Sequence, residues 1–150
     1  MADYYWEDIT TSDELPSNAL YAGYEADGSK MYVGRAYHEG DWIPAKVIPD
    51  KNIASVCYGG AEHLKDEYQI LLASGSLDAL QWMPSSNGDI PNKAVPGGQT
   101  SDGETLYVGR VQQSGSVTIG KVQPSHGICY IPFDGLEIGH KEYDVLITYP

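Results

Sequence analysis

The chain has 150 residues with 9 Lys and Arg against 21 Asp and Glu, a net charge of −12. That charge repels phosphate backbones and anionic membrane surfaces, and no stretch gathers basic residues with aromatics, so nucleic-acid binding is excluded as a primary function. Twelve Tyr, one Phe and 17 Gly, with Pro punctuating short segments, favour many short strands and turns over long helices.

The opening stretch, MADYYWEDITTSDELP, is acidic and lacks a basic start and an apolar core, so it does not read as a secretory signal. No run approaches the length of a membrane span, and no membrane insertion is expected. The expected location is cytoplasmic, or outside the cell by an unconventional route. ADGSK is a turn, because Asp27-Gly28 tolerates positive φ. KMYVGRAY alternates as a strand, with Met31, Val33 and Arg35 on one face. HEGD is a turn centred on Gly40. IPAKVI is a strand whose Pro44 marks an edge or a bulge. IASVCY is a buried strand, GGAEHLKDE a loop with at most one helical turn, and YQILLA a further strand. SSNGDIPNK, from Ser85 to Lys93, reads as a linker.

The tetrapeptide YVGR occurs at Tyr32–Arg35 and again at Tyr107–Arg110, 75 residues on. At that offset Ala19–Ala73 aligns without a gap onto Ala94–Thr148, with Gly23/Gly98, Asp27/Asp102, Lys46/Lys121, Pro49/Pro124 and Glu62/Glu137 among the identities. Upstream, Trp6 and Trp82 correspond after a shift of one residue. The expected fold is therefore all-β: two tandem, pseudo-symmetric sheet modules, 1–75 and 76–150, packed together.

Polar residues kept in both copies are the candidates for chemistry. Asp27 and Asp102 open Asp-Gly turns, which explains them without a ligand. Arg35 and Arg110, mid-strand in apolar surroundings, call for a partner such as Glu62/Glu137 or Glu67/Glu142. Lys46 and Lys121 leave two readings open. Each is a solvated lysine guarding a strand edge, or a fixed ammonium donating to an oxygen-rich neutral ligand. The four histidines are not duplicated, no phosphate loop or nucleophile elbow occurs, and no carboxylate pair stands out. Neither an enzyme, a metal nor a cofactor is expected. Cys57 and Cys129 do not correspond under the repeat; a disulfide is possible, but buried free thiols are the simpler reading.

The segment NALYAGYEADGSKMYVGRAYHEGDWIPAKVIPDKNIASVCYGGAEHLKDEYQILL, and the second half GGQTSDGETLYVGRVQQSGSVTIGKVQPSHG with KEYDVLI, resemble the DM-nine repeat. The paired arrangement is similar to the mannose-specific DM-nine lectins of bivalve molluscs. The resemblance implies a homodimer that binds mannose or mannose-rich glycans as a pattern-recognition molecule of innate immunity. It also implies that an acidic residue after the AGY segment and the lysine of the PxK strand contact the sugar. Here these are Glu25, where the family has Asp, and Lys46. Their second-half counterparts are Thr100, beside which Asp102 supplies a carboxylate, and Lys121. The alternative is a protein–protein interaction module that responds to infection without sugar binding; a glycan hydrolase is the third reading.

Overall fold

The computed structural model describes residues 2–149. They form fourteen strands: β1 (Tyr4–Thr10), β2 (Tyr21–Tyr24), β3 (Lys30–His38), β4 (Asp41–Ile48), β5 (Ile53–Tyr58), β6 (Ala61–Leu64), β7 (Glu67–Ala73), β8 (Leu80–Ser86), β9 (Pro96–Gln99), β10 (Thr105–Gln113), β11 (Ser116–Gln123), β12 (Ile128–Phe133), β13 (Leu136–His140) and β14 (Glu142–Thr148). The helical elements among the described residues are three single 3₁₀ turns, at Pro49–Lys51, Leu77–Ala79 and Pro124–His126. The expected all-β class holds.

Hydrogen bonding runs through all fourteen strands in the order β1-β7-β3-β2-β11-β12-β13-β6-β5-β4-β9-β10-β14-β8, with β3–β4 and β10–β11 paired as well. The β3–β4 pairing closes the path β3-β2-β11-β12-β13-β6-β5-β4 into an eight-stranded barrel. Beyond the barrel, β7 extends from β3 and carries β1, while β14 extends from β10 and carries β8. Three of the ladders join the first half of the chain to the second: Tyr24 opposite Val117, Trp42 opposite Gln99, and Ala61 opposite Leu136.

The core is shared in the same way. One cluster packs Leu20, Met31, Val33 and Leu71 with Val95, Val108, Ile119 and Leu146. Those side chains come from the alternating faces that the period-2 pattern marks as apolar. Cys57 and Cys129 are free and buried, and burial pushes both thiols above their ordinary pKa.

Three sequence expectations need correction. The stretch read as the loop GGAEHLKDE contains β6, which pairs with β5 from Ser55–Leu64 to Tyr58–Ala61. Its polar alternation, Glu62 and Leu64 against Ala61 and His63, hid a strand whose carboxylate faces a buried partner. The stretch called a linker begins inside β8, which pairs along its length with β14. Pro44 is neither on an outer edge strand nor at a bulge. It lies inside β4, between the Trp42 contact with β9 and the Lys46 contact with β5. At the corresponding Ile119, the backbone N–H donates to Met31 Sδ at 3.3 Å. Neither half thus requires a sheet donor at this point.

The joints between the halves depend on missing side chains. A Cβ on Gly23 would sit 2.1 Å from the Val117 carbonyl oxygen, and one on Gly98 would sit 2.1 Å from that of Trp42. Backbone atoms cannot move aside as a flexible side chain can. Gly23→Ala is expected to lower stability by about 1–3 kcal/mol, the usual cost of overpacking. A thermal melt should show the midpoint falling by roughly 2–4 °C per kcal/mol for a chain of this size.

Candidate functional site

The duplicated lysines are buried. Lys46 is 3% exposed and Lys121 5%. Lys46 Nζ donates to the Pro132 carbonyl at 2.8 Å and pairs with Glu62 Oε2 at 3.1 Å. Lys121 Nζ donates to the Cys57 carbonyl at 2.9 Å and pairs with Glu137 Oε2 at 3.0 Å. The glutamates complete the exchange: Gly135 N–H donates to Glu62 and Gly60 N–H to Glu137. Between the same turns the backbone bonds are reciprocal, Glu62 N–H to Gly135 O and Glu137 N–H to Gly60 O, both 3.0 Å. Each lysine therefore binds a carboxylate of its own half and a carbonyl of the other, and each carboxylate accepts from an amide of the other half.

This geometry corrects the sequence reading of Lys46 and Lys121. They are not solvated edge guards but buried ammonium groups, each held by a carboxylate and a carbonyl. Glu62 and Glu137, suggested as partners for the arginines, belong to the lysines. Glu25 and Lys46 also have separate partners. Glu25 Oε1 meets Lys51 Nζ at 3.4 Å, and Asp27 Oδ2 meets the same ammonium at 3.0 Å. The Ser29 amide first, then its hydroxyl and Lys51, draw the Asp27 carboxyl down to about 2. In the second half Asp102 is exposed. Thr100 Oγ1 accepts from the Glu104 amide at 3.1 Å, closing its own turn. Glu104, in place of a carboxylate at 100, reaches Ser125 Oγ at 2.7 Å and Gln123 Nε2 at 3.1 Å. The structure thus brings Glu25 and Asp27 together, and sets Thr100 and Asp102 in the matching turn, away from the buried lysines' partners.

The duplicated arginines face a surface that the sequence reading left unassigned. Arg35 lies 4.3 Å from the Trp6 ring and 5.7 Å from Trp42, so aromatic rings flank it twice. Its Nε donates to Gln69 Oε1 at 2.7 Å. Arg110 lies 4.3 Å from the Trp82 ring, but Val117 stands where the first half has Trp42. Arg110 Nε pairs with Asp144 Oδ2 at 3.3 Å and Nη1 donates to the Ala22 carbonyl at 2.9 Å. Nη2 has no hydrogen-bond partner among the described residues. The smaller Val117 leaves a groove of 530 Å³ over this guanidinium, lined by Tyr21, Tyr24, Trp82, Gln112 and Asp144. Tyr21 is 50% exposed and Tyr24 40%. Sequence reasoning reached Arg110 as a duplicated residue. It missed the groove because Tyr21, Tyr24 and Trp82 meet only through the inter-half pairing of β2 with β11. The unshared tyrosines of YAGY, against PGGQ in the second copy, were the available signal.

No group of three or more His, Cys, Asp or Glu able to hold a metal occurs among the described residues. The fold and site define a closed all-β barrel protein with aromatic surface grooves. The chain belongs to the DM9 repeat family, whose model matches residues 25–140. It is similar to Natterin-4 of Thalassophryne nattereri, 27% identical over 138 residues that cover 92% of this chain and 33% of that protein. It is also similar to Natterin-3 of the same organism, 30% identical over 89 residues, 59% of this chain and 22% of that one. In fold it matches the nematode sperm cell motility protein MFP2B, with a TM-score of 0.71 at 15% identity, over 98% of this chain and 47% of that one. The chain thus spans about a third of the length of Natterin-4 and under half of MFP2B.

Removing one partner of a buried pair strands the other charge. Lys46→Met is therefore expected to cost about 3–5 kcal/mol, read as a lower urea midpoint. Burial works to raise the Glu62 carboxyl's pKa, but the Ser55 hydroxyl, Lys46 and the Gly135 amide outweigh it, and the net value is lowered. A lowered folded pKa stabilises above the unfolded value near 4.5, and this stability is lost as pH falls through the folded one. Urea unfolding at pH 7 and at pH 3.5 should show a smaller pH difference for Glu62→Gln than for the parent chain.

Proposed function

We propose that this protein is a lectin whose ligand is a neutral, mannose-type sugar, bound in the groove over Arg110. The observation that carries the reading is a guanidinium fixed by Trp82, Asp144 and Ala22 with Nη2 still free, beside two exposed tyrosines. Vicinal sugar hydroxyls need an acceptor and a donor at one spacing. Asp144 supplies the acceptor and Arg110 the donor, and hydrogen bonds to charged groups contribute about 1.5–3 kcal/mol each. The faces of Tyr21 and Tyr24 suit the C–H face of a pyranose ring. A neutral ligand meets no repulsion from the net charge of −12. The groove begins at Tyr24, directly before Glu25, the acidic residue that the resemblance to the mollusc lectins singles out.

The reading extends to the architecture. Residues 1–75 and 76–150 are two copies of the DM9 repeat fused into one barrel, and the chain acts as a homodimer. Single sugar sites are weak because few atoms are engaged. Several sites on one dimer recover avidity on a glycan-coated surface, which suits pattern recognition in innate immunity. The groove binds and releases its ligand unchanged.

Trp82 reports on the groove directly. Adding methyl α-mannoside should change the tryptophan emission of the parent chain. Tyr24→Ala and Asp144→Asn should each weaken binding about tenfold or more, while Tyr24→Ala keeps the melting temperature of the parent. An unchanged affinity in both variants would remove the groove from the proposal.

A further inference from the structure

The first half holds an aromatic pair that the second half lacks. Tyr37 and Trp42 stand opposite each other across β3 and β4, with ring centroids 6.0 Å apart at 69°. The corresponding facing positions are Gln112 and Val117. Tyr37 is 56% exposed, so packing does not account for it. The pair forms one wall of an 820 Å³ groove whose other wall comes from β1 and the start of β7.

Among the described residues, Lys65 is the one cation lining that groove, against the carboxylates of Asp8, Asp13, Asp66 and Glu67. Lys65 is half-buried, yet it forms no ion pair among the described residues, whereas Lys46, Lys51, Lys121 and Arg110 all do. Asp8 is held by a relay: Arg35 Nε donates to Gln69 Oε1 at 2.7 Å, and Gln69 Nε2 donates to Asp8 Oδ1 at 2.9 Å. Asp8 Oδ2 keeps its acceptor capacity. In the second half the residue at the Gln69 position is Asp144, which meets its arginine directly. Replacing that carboxylate by an amide carries the negative end of the relay outward from β7 to β1. The acceptor therefore stands in a different place in the two halves.

We infer that this groove is a second carbohydrate site, not equivalent to the first, that takes a neutral oligosaccharide. The inference rests on the carbohydrate reading above. The exposed rings offer a stacking face, Lys65 donates and Asp8 accepts, the complement that vicinal hydroxyls require. Four carboxylates against Lys65 repel an anionic ligand and leave a neutral one unopposed, and a groove larger than 530 Å³ suits more than one sugar ring.

Titration calorimetry of the full chain with an α-linked mannotriose tests this. The parent should bind two per chain. Tyr37→Ala should bind one, as should Lys65→Met, and Tyr37→Phe should keep both because the ring is retained. Tyr24→Ala combined with Asp144→Asn should also bind one, at the Tyr37 groove. A parent stoichiometry of one that survives Tyr37→Ala and is lost in the Tyr24/Asp144 variant overturns this inference and leaves the first groove standing. A stoichiometry of one lost only in Tyr37→Ala and Lys65→Met overturns the first groove and keeps this one. No binding in any variant overturns both.

Discussion

Two buried lysines hold this fold closed. Charged side chains at 3% and 5% exposure are tolerable only when they are paired and hydrogen-bonded. Lys46 and Lys121 meet that condition by reaching across the molecule to Pro132 and Cys57. The penalty for a lost partner is what makes the contact selective. If one half separated from the other, each buried ammonium would lose a carbonyl and each glutamate an amide. The barrel closes where these bonds sit, through β5, β6, β12 and β13, and the shared apolar core around Met31 and Ile119 depends on that closure. Residues shared by the two halves thus serve the joint between them.

The grooves draw on residues that the two halves do not share. Both halves place an arginine on a tryptophan at 4.3 Å. What surrounds the arginine then diverges. Trp42 flanks Arg35 on a second side, and Val117 leaves Arg110 open. Gln69 relays to Asp8, and Asp144 pairs at once. The two halves present similar frames, and single differences between them set the shape of each groove.

Much of the fold was legible in the sequence. The 75-residue offset and the alternation in KMYVGRAY located β3 and β10, and the turns at Gly28 and Gly40 fell where expected. β6 escaped because its polar residues look solvent-facing until Lys46 is known to lie beneath Glu62. The lysines themselves were misplaced for the same reason: a sequence shows that Lys46 is repeated, but not that a carbonyl 86 positions away receives it. The grouping of Tyr21, Tyr24 and Trp82 was not legible beyond the unshared tyrosines of YAGY, since strands remote in the chain bring them together. Glu25 was visible as an acidic position, and its Lys51 partner was not, because the 3₁₀ turn that carries Lys51 leaves no apolar period.

The central claim is a division of labour, with the paired lysines structural and the aromatic groove receptive. Amide and indole chemical-shift mapping during titration with methyl α-mannoside tests it most directly. The account predicts perturbations at residues 21–24, at Arg110 and Gln112, and at the Trp82 indole, with residues 59–62 and 134–137 around the lysine–glutamate pairs unmoved. Perturbations confined to those two turns, with the groove silent, would contradict it.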